Sequence, residues 1–204
     1  MARIDDFQQA RDLSAGALAE EDIHTIAARC GFEVTGDGAA LRVPFLDRVY
    51  RVTFPDFIFA DLADTTAQVP LQEQVLLLHY MQGVRPLLTG EWIAYREIPG
   101  AGFYFSAFVK RAIDPLKQMF GQNTAALLKA AQKLGAIPLE TGDAAFELRL
   151  LPFAPIQVIV WEGDDEFPAE ANVLFDASIG EYLPAEDAAW LASLPVYRLM
   201  ALAR

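Results

Sequence analysis

Apolar positions recur with a helical period in some stretches of this chain and with a period of two in others, and the two kinds alternate. Residues 4–13 read as a short amphipathic helix. Residues 19–30 read as a second, with Ile23, Ile26 and Ala27 on one face and Gly31 as its stop. A hairpin is predicted over 33–43 and 48–54, where Val49, Arg51 and Thr53 alternate with Tyr50, Val52 and Phe54. Residues 56–66 read as loop with a short extended piece. The helix predicted over 71–82 is apolar nearly all round, which assigns it to the core and makes His79 a core or boundary histidine.

The next stretch, 84–121, opens on Gly90-Glu91-Trp92 and a strand over 93–98. A Pro99-Gly100-Ala101-Gly102 turn, the aromatic run Phe103-Tyr104-Phe105, and a helix carrying Phe108, Lys110 and Arg111 follow, with a restart at Pro115. Asn123 or Thr124 caps a helix over 125–134, and Gly135 ends it. Strands over 145–151 and 155–161 make a second hairpin that opens into an acidic segment. A last helix, over 184–202, is expected to bend or break at Pro195.

Part of the pattern is read twice. Ala27-Ala28-Arg29-Cys30-Gly31, Thr35-Gly36-Asp37, Leu41-Arg42-Val43-Pro44-Phe45 and Val52 are echoed by Ala130-Ala131-Gln132-Lys133-Leu134-Gly135, Thr141-Gly142-Asp143, Leu148-Arg149-Leu150-Leu151-Pro152-Phe153 and Val160. A duplicated unit accounts for the echo, because each copy offers an apolar face that its twin can cover. Chance matching of short Gly/Ala/Pro-rich stretches is the competing account. The expected fold is α+β, with two similar αββα halves, about 19–83 and 122–204, joined by an insertion over 84–121. The expectation is one domain over 1–204.

Composition narrows the partners. With 204 residues, 53% of them hydrophobic and 22% charged, the chain has enough apolar surface for a sizeable core. A net charge of −12 argues against a nucleic-acid partner, since phosphates would be repelled. The longest apolar run, near 75–81, falls short of the roughly 18 residues of a membrane span. Arg3, Asp5, Asp6, Arg11 and Asp12 break up the first residues, so no leader is read there and the expected location is cytoplasmic. Cys30 is the one cysteine, which excludes an intrachain disulfide and a cysteine-ligated iron–sulfur cluster within one chain. It reads as a small core residue, with a reactive thiol as the alternative.

Two places offer chemistry. Asp164, Asp165 and Glu166 on an acidic turn, with Asp176 further on, supply the oxygen ligands that Mg²⁺ or Ca²⁺ needs. Their spacing is not that of an EF-hand, and solvated turn acids are the simpler reading. Trp92, Arg96, Tyr104, Lys110 and Arg111 offer the opposite polarity, aromatic faces beside cations that hold a planar anion by stacking and charge-assisted hydrogen bonds. Core packing of the aromatics and an Arg96–Glu97 pair compete with it. Gly36-Asp37-Gly38 is no dinucleotide fingerprint, and no Walker loop or nucleophile elbow is present.

Gly90-Glu91-Trp92, Arg96-Glu97, the glycine turn before Phe103, Lys133-Leu134-Gly135, Gly142-Asp143, Trp161-Glu162-Gly163-Asp164-Asp165-Glu166-Phe167-Pro168-Ala169 and Leu174-Phe175-Asp176 form a set. On these residues the chain resembles a bacterial and archaeal family known as domain of unknown function 3786. Some members carry a cysteine-rich iron–sulfur domain ahead of this one, so the resemblance implies a setting in anaerobic redox or corrinoid metabolism. This chain lacks those cysteines, and a cluster-linked role requires a separate redox or iron–sulfur partner protein. The functional expectation is a ligand-binding or accessory module without its own catalysis, taking a small anionic ligand or a redox partner. The alternatives are a metal-assisted enzyme on the acidic turn 162–176 and a structural or interaction subunit.

Overall fold

The computed structural model describes residues 4–84 and 87–203. The chain divides into two compact units, Met1–Leu87 with Glu181–Leu183, and Leu88–Gly180 with Pro184–Arg204.

In the first unit, helices α1 (Ile4–Ala19) and α2 (Ile23–Cys30) precede strands β1 (Glu33–Val34), β2 (Ala40–Phe45), β3 (Arg48–Thr53) and β4 (Phe59–Asp61), and helix α3 (Leu71–Gln82) closes the series. The first helix is longer than expected and the second shorter. Asp22 accepts the Thr25 N–H at 3.0 Å, and this N-cap fixes where α2 begins. Gly31, at φ 72°, ends it as the left-handed cap that a glycine adopts without strain. The four strands form an antiparallel meander. Leu41 and Val43 pair with Val52 and Tyr50, and all four are fully buried. Helix α3 buries Val75 to Leu78, Tyr80 and Met81, in line with its nearly uniform apolar sequence. Tyr182 stacks on Tyr80 at 4.8 Å, and Gly83 leaves it room, since a Cβ there would stand 2.8 Å from the Tyr182 backbone.

In the second unit, strand β5 (Trp92–Ala94) is followed by α4 (Ala101–Phe108), α5 (Asp114–Phe120), α6 (Thr124–Lys133), β6 (Ile137–Pro138), β7 (Ala144–Leu151), β8 (Ala154–Trp161), β9 (Glu170–Asp176) and α7 (Ala185–Leu202). The sheet is antiparallel in the order β5-β9-β8-β7-β6, so the strand of the middle stretch joins the sheet built by the C-terminal strands. Strands β7 and β8 are buried along most of their length, with Phe146, Leu148, Ile156 and Val158 at the centre.

The class is α+β, and both units contain a helix, a four-stranded antiparallel meander and a closing helix. Each meander has more strands than a hairpin because further strands extend it on both sides, the short β1 and β4 in the first unit, the short β6 and the seven-residue β9 in the second. The repeated letters do not share a register. Leu41 pairs with Val52, whereas Leu148 pairs with Ile156 and Val160 with Ala144.

Three local expectations are corrected. The strand over 93–98 stops at Ala94, because Glu97 accepts the Ala94 N–H at 2.7 Å and closes a 3₁₀ turn over Tyr95–Glu97. The turn over 99–102 is shorter than its glycines suggest: Gly100, at φ 82°, is the last residue before α4, and the aromatic run is helical. Helix α7 runs unbroken through Pro195, with Ser193 donating its hydroxyl to Trp190 O at 2.7 Å.

Candidate functional site

Helices α4 and α5 are joined without a break by a π-helical turn over Val109–Ile113. Pro115 explains it. Lacking an N–H, Pro115 cannot bond the carbonyl of Arg111, and the helix widens to accommodate this, with Asp114 N–H bonding Val109 O. Lys110 and Arg111 stand on that turn.

Tyr95 holds this helix in place. Its ring stacks on Phe108 at 4.2 Å and 7°, and its hydroxyl donates to Ala185 O at 2.8 Å. Burial pushes the phenol up to about 12. Tyr104 lies beside Glu186, whose carboxylate raises that phenol by hydrogen bonding. The Arg111 guanidinium lies 5.7 Å from the Trp190 ring centroid. Residues 104 and 111, seven apart on the helix, thus both reach α7. Residues 103 and 110, one position earlier, share the adjoining face, where Phe103 is 92% exposed and Lys110 is exposed.

Of the five residues singled out in sequence, Tyr104, Lys110 and Arg111 come to this helix face. Arg96 lies 3.6 Å over the Phe105 ring, and Trp92 is half-buried on β5 opposite Asp176. Phe103, part of the aromatic run read beside these cations, stands on the adjoining face of the same helix, whereas Trp190, on α7, was not singled out in sequence. Trp190 Nε1 is buried and has no hydrogen-bond partner among the described residues. Two depressions described in the first unit, one lined by His24, Thr25, Ala28 and Arg29 and one by Asp5, Gln8, Gln9, Asp12 and Leu13, include none of these residues.

The acids are distributed differently. Asp164 accepts the N–H groups of Phe167 and Glu166, at 2.7 and 2.8 Å, and those bonds lower its carboxyl below the ordinary aspartate range. Asp165 and Glu166 are exposed on the same turn. Asp176 is buried at the end of β9, where it accepts from Thr89, Gly90 and Ser178. Glu162 accepts the N–H and hydroxyl of Thr124 at the start of α6, at 3.0 and 2.6 Å. Among the described residues, no group of three or more His, Cys, Asp or Glu side chains is arranged to hold a metal ion.

The first unit contains a polar cluster that pattern reading passed over. Tyr50 donates to Glu73 at 2.7 Å, and Arg48 pairs with the buried Asp61 at 2.9 Å. Burial and the Glu73 carboxylate push the Tyr50 phenol well above its usual value. The residues are distant in sequence, but Tyr50 and Asp61 are direct partners across β3 and β4.

Fold and site together define an α+β protein that displays an aromatic and cationic helix face. The chain belongs to the family of the domain of unknown function DUF3786, whose family model matches residues 22–198. No curated protein and no solved structure matches it. Among the described residues, no helix is long and apolar enough to cross a membrane.

Proposed function

We propose that this chain is a binding module, an accessory protein without catalysis of its own, which holds an anionic ligand on the face formed by α4 and the π turn. The observation that carries the reading is that Lys110 and Arg111 make no ion pair among the described residues, in a chain whose net charge is −12. Arg96, Lys129, Lys133 and Arg149 also make no ion pair among the described residues, but Lys110 and Arg111 are the adjacent two and share their helix with exposed aromatics, which favours an external anion there. A small carboxylate or phosphate fits this chemistry, as does the acidic surface of a redox or iron–sulfur partner. The module acts in the cytoplasm on this reading, in keeping with a single unpaired cysteine.

The test is a thermal-shift titration with citrate, phosphate, ATP and polyglutamate, on the wild type and on the Lys110→Glu/Arg111→Glu double variant. A probe at 100 times its dissociation constant stabilises the fold by about 2.7 kcal/mol, which moves the midpoint by roughly 5 to 10 °C for a chain of this size. At least one probe shifts the wild type and leaves the variant unmoved. Equal shifts in both proteins, or no shift with any probe, would overturn the reading.

A further inference from the structure

The spacing of the face narrows its ligand. Phe103 and Lys110, like Tyr104 and Arg111, are seven residues apart, and two helical turns separate them by about 10 Å. A small planar anion bonded to Lys110 and Arg111 covers only part of a surface of that length. The surface is also an open helix face: Phe103 is 92% exposed, and Lys110 and Arg111 are exposed. Such a shape suits a flat, extended occupant better than an enclosed small molecule.

We infer that the occupant is an acidic amphipathic helix of a partner protein, with an apolar side chain against Phe103 and carboxylates two turns away against Lys110 and Arg111. The inference rests on the binding-module reading above. Charge complementarity supports it, since among the described residues neither cation makes an ion pair and Arg111 lies over the Trp190 ring, which orients its guanidinium without using its N–H donors. The exposed Phe103 supplies an apolar anchor, flanked by Ser106 and Ala107, which are small enough to let a second helix approach.

The experiment measures fluorescence anisotropy of two labelled, alanine-rich helical peptides with the full-length chain. In one, a phenylalanine stands seven residues from a Glu-Glu pair. In the other, of the same composition, the phenylalanine adjoins the pair. The spaced peptide binds about tenfold more tightly, and Phe103→Ala and Lys110→Glu/Arg111→Glu each weaken it about tenfold or more, with circular dichroism unchanged. Raising the salt weakens binding to the wild type and to Phe103→Ala, but barely affects what remains in the double charge variant. Equal binding of the two peptides, or indifference to Phe103→Ala, overturns the inference. So does a wild type that light scattering shows to be a dimer and that Phe103→Asp makes monomeric, because the occupant is then a second copy. If ATP or citrate binds through Lys110 and Arg111 while neither peptide does, the inference fails and the binding module stands. If no anionic probe binds, both fail.

Discussion

Asp176 Oδ2 accepts the backbone N–H of Gly90 at 2.8 Å, while its Oδ1 accepts the hydroxyls of Ser178, at 2.6 Å, and Thr89, at 3.1 Å. One buried carboxylate therefore ties the loop before β5 to the end of β9, where Trp92 and Asp176 are register partners. Removing it orphans several buried donors, so Asp176→Ala lowers unfolding stability by about 3 kcal/mol. Urea denaturation measures this, and a loss under about 1 kcal/mol would show that water replaces the carboxylate. Burial pushes this carboxyl up, and the bonds from Ser178, Thr89 and Gly90 outweigh it, leaving the group below its ordinary value. Its contribution is therefore present above about pH 4 and is lost as the pH falls through the lower, folded value. Asp176→Asn flattens that acid limb.

The same bonds bear on metal binding. Asp176 already serves five donors, and Asp164 is turned onto its own loop backbone. A hard cation would have to displace bonds of that strength to collect oxygen ligands here. Added Mg²⁺ or Ca²⁺ is therefore expected to leave the thermal midpoint unchanged. A rise with either ion that Asp165→Asn abolishes would instead establish the acidic turn as a metal site.

Legibility in the sequence followed the range of the forces. The helix over 71–82 and the start and stop of α6 were readable because local apolar density, Asn123 and the residues around Gly135 decide them. Strands β7 and β8 were readable for the same reason. The partner of β5 was not, because nothing within 92–94 says that the sheet edge it joins is β9, whose paired residues come 80 or more positions later. The acidic turn looked like a ligand cluster since charge is visible in sequence, whereas the Thr124 hydroxyl and N–H that claim Glu162 come from a different element. The helix face was half legible: its cations and the aromatic run beside them were evident, but Trp190 was not, because it comes from a distant element.

Cys30 illustrates a reading that burial settles. Its thiol is fully buried, with Sγ 3.9 and 3.8 Å from the carbonyls of Tyr80 and Met81. Burial pushes the thiol up to about 12, against which Arg29 pulls only in part. A thiol so protonated is a poor nucleophile at neutral pH. Ellman's reagent is expected to leave the native protein unlabelled over an hour and to react stoichiometrically once guanidinium unfolds it. Fast labelling in the native state would mean that α2 opens readily or that the thiolate is populated.

Tyr95 gives the opposite end of the pH range. Burial acts first in raising its phenol to about 12, and the charges of Tyr104 and Glu186 add to it. The unfolded tyrosine titrates near about 10, so the folded state favours the neutral ring. That contribution is complete below about pH 10 and is lost as the pH rises toward the folded value. Tyr95→Phe keeps the stack on Phe108 but loses the bond to Ala185 O. It should cost about 1 kcal/mol near neutrality, and its stability should then fall less steeply than the wild type's between about pH 10 and 12. Urea midpoints for both proteins across that range decide the matter. Parallel alkaline limbs would mean that Tyr95 ionises as freely in the folded chain as in the unfolded one, and that other tyrosines, Tyr50 among them, carry the alkaline loss.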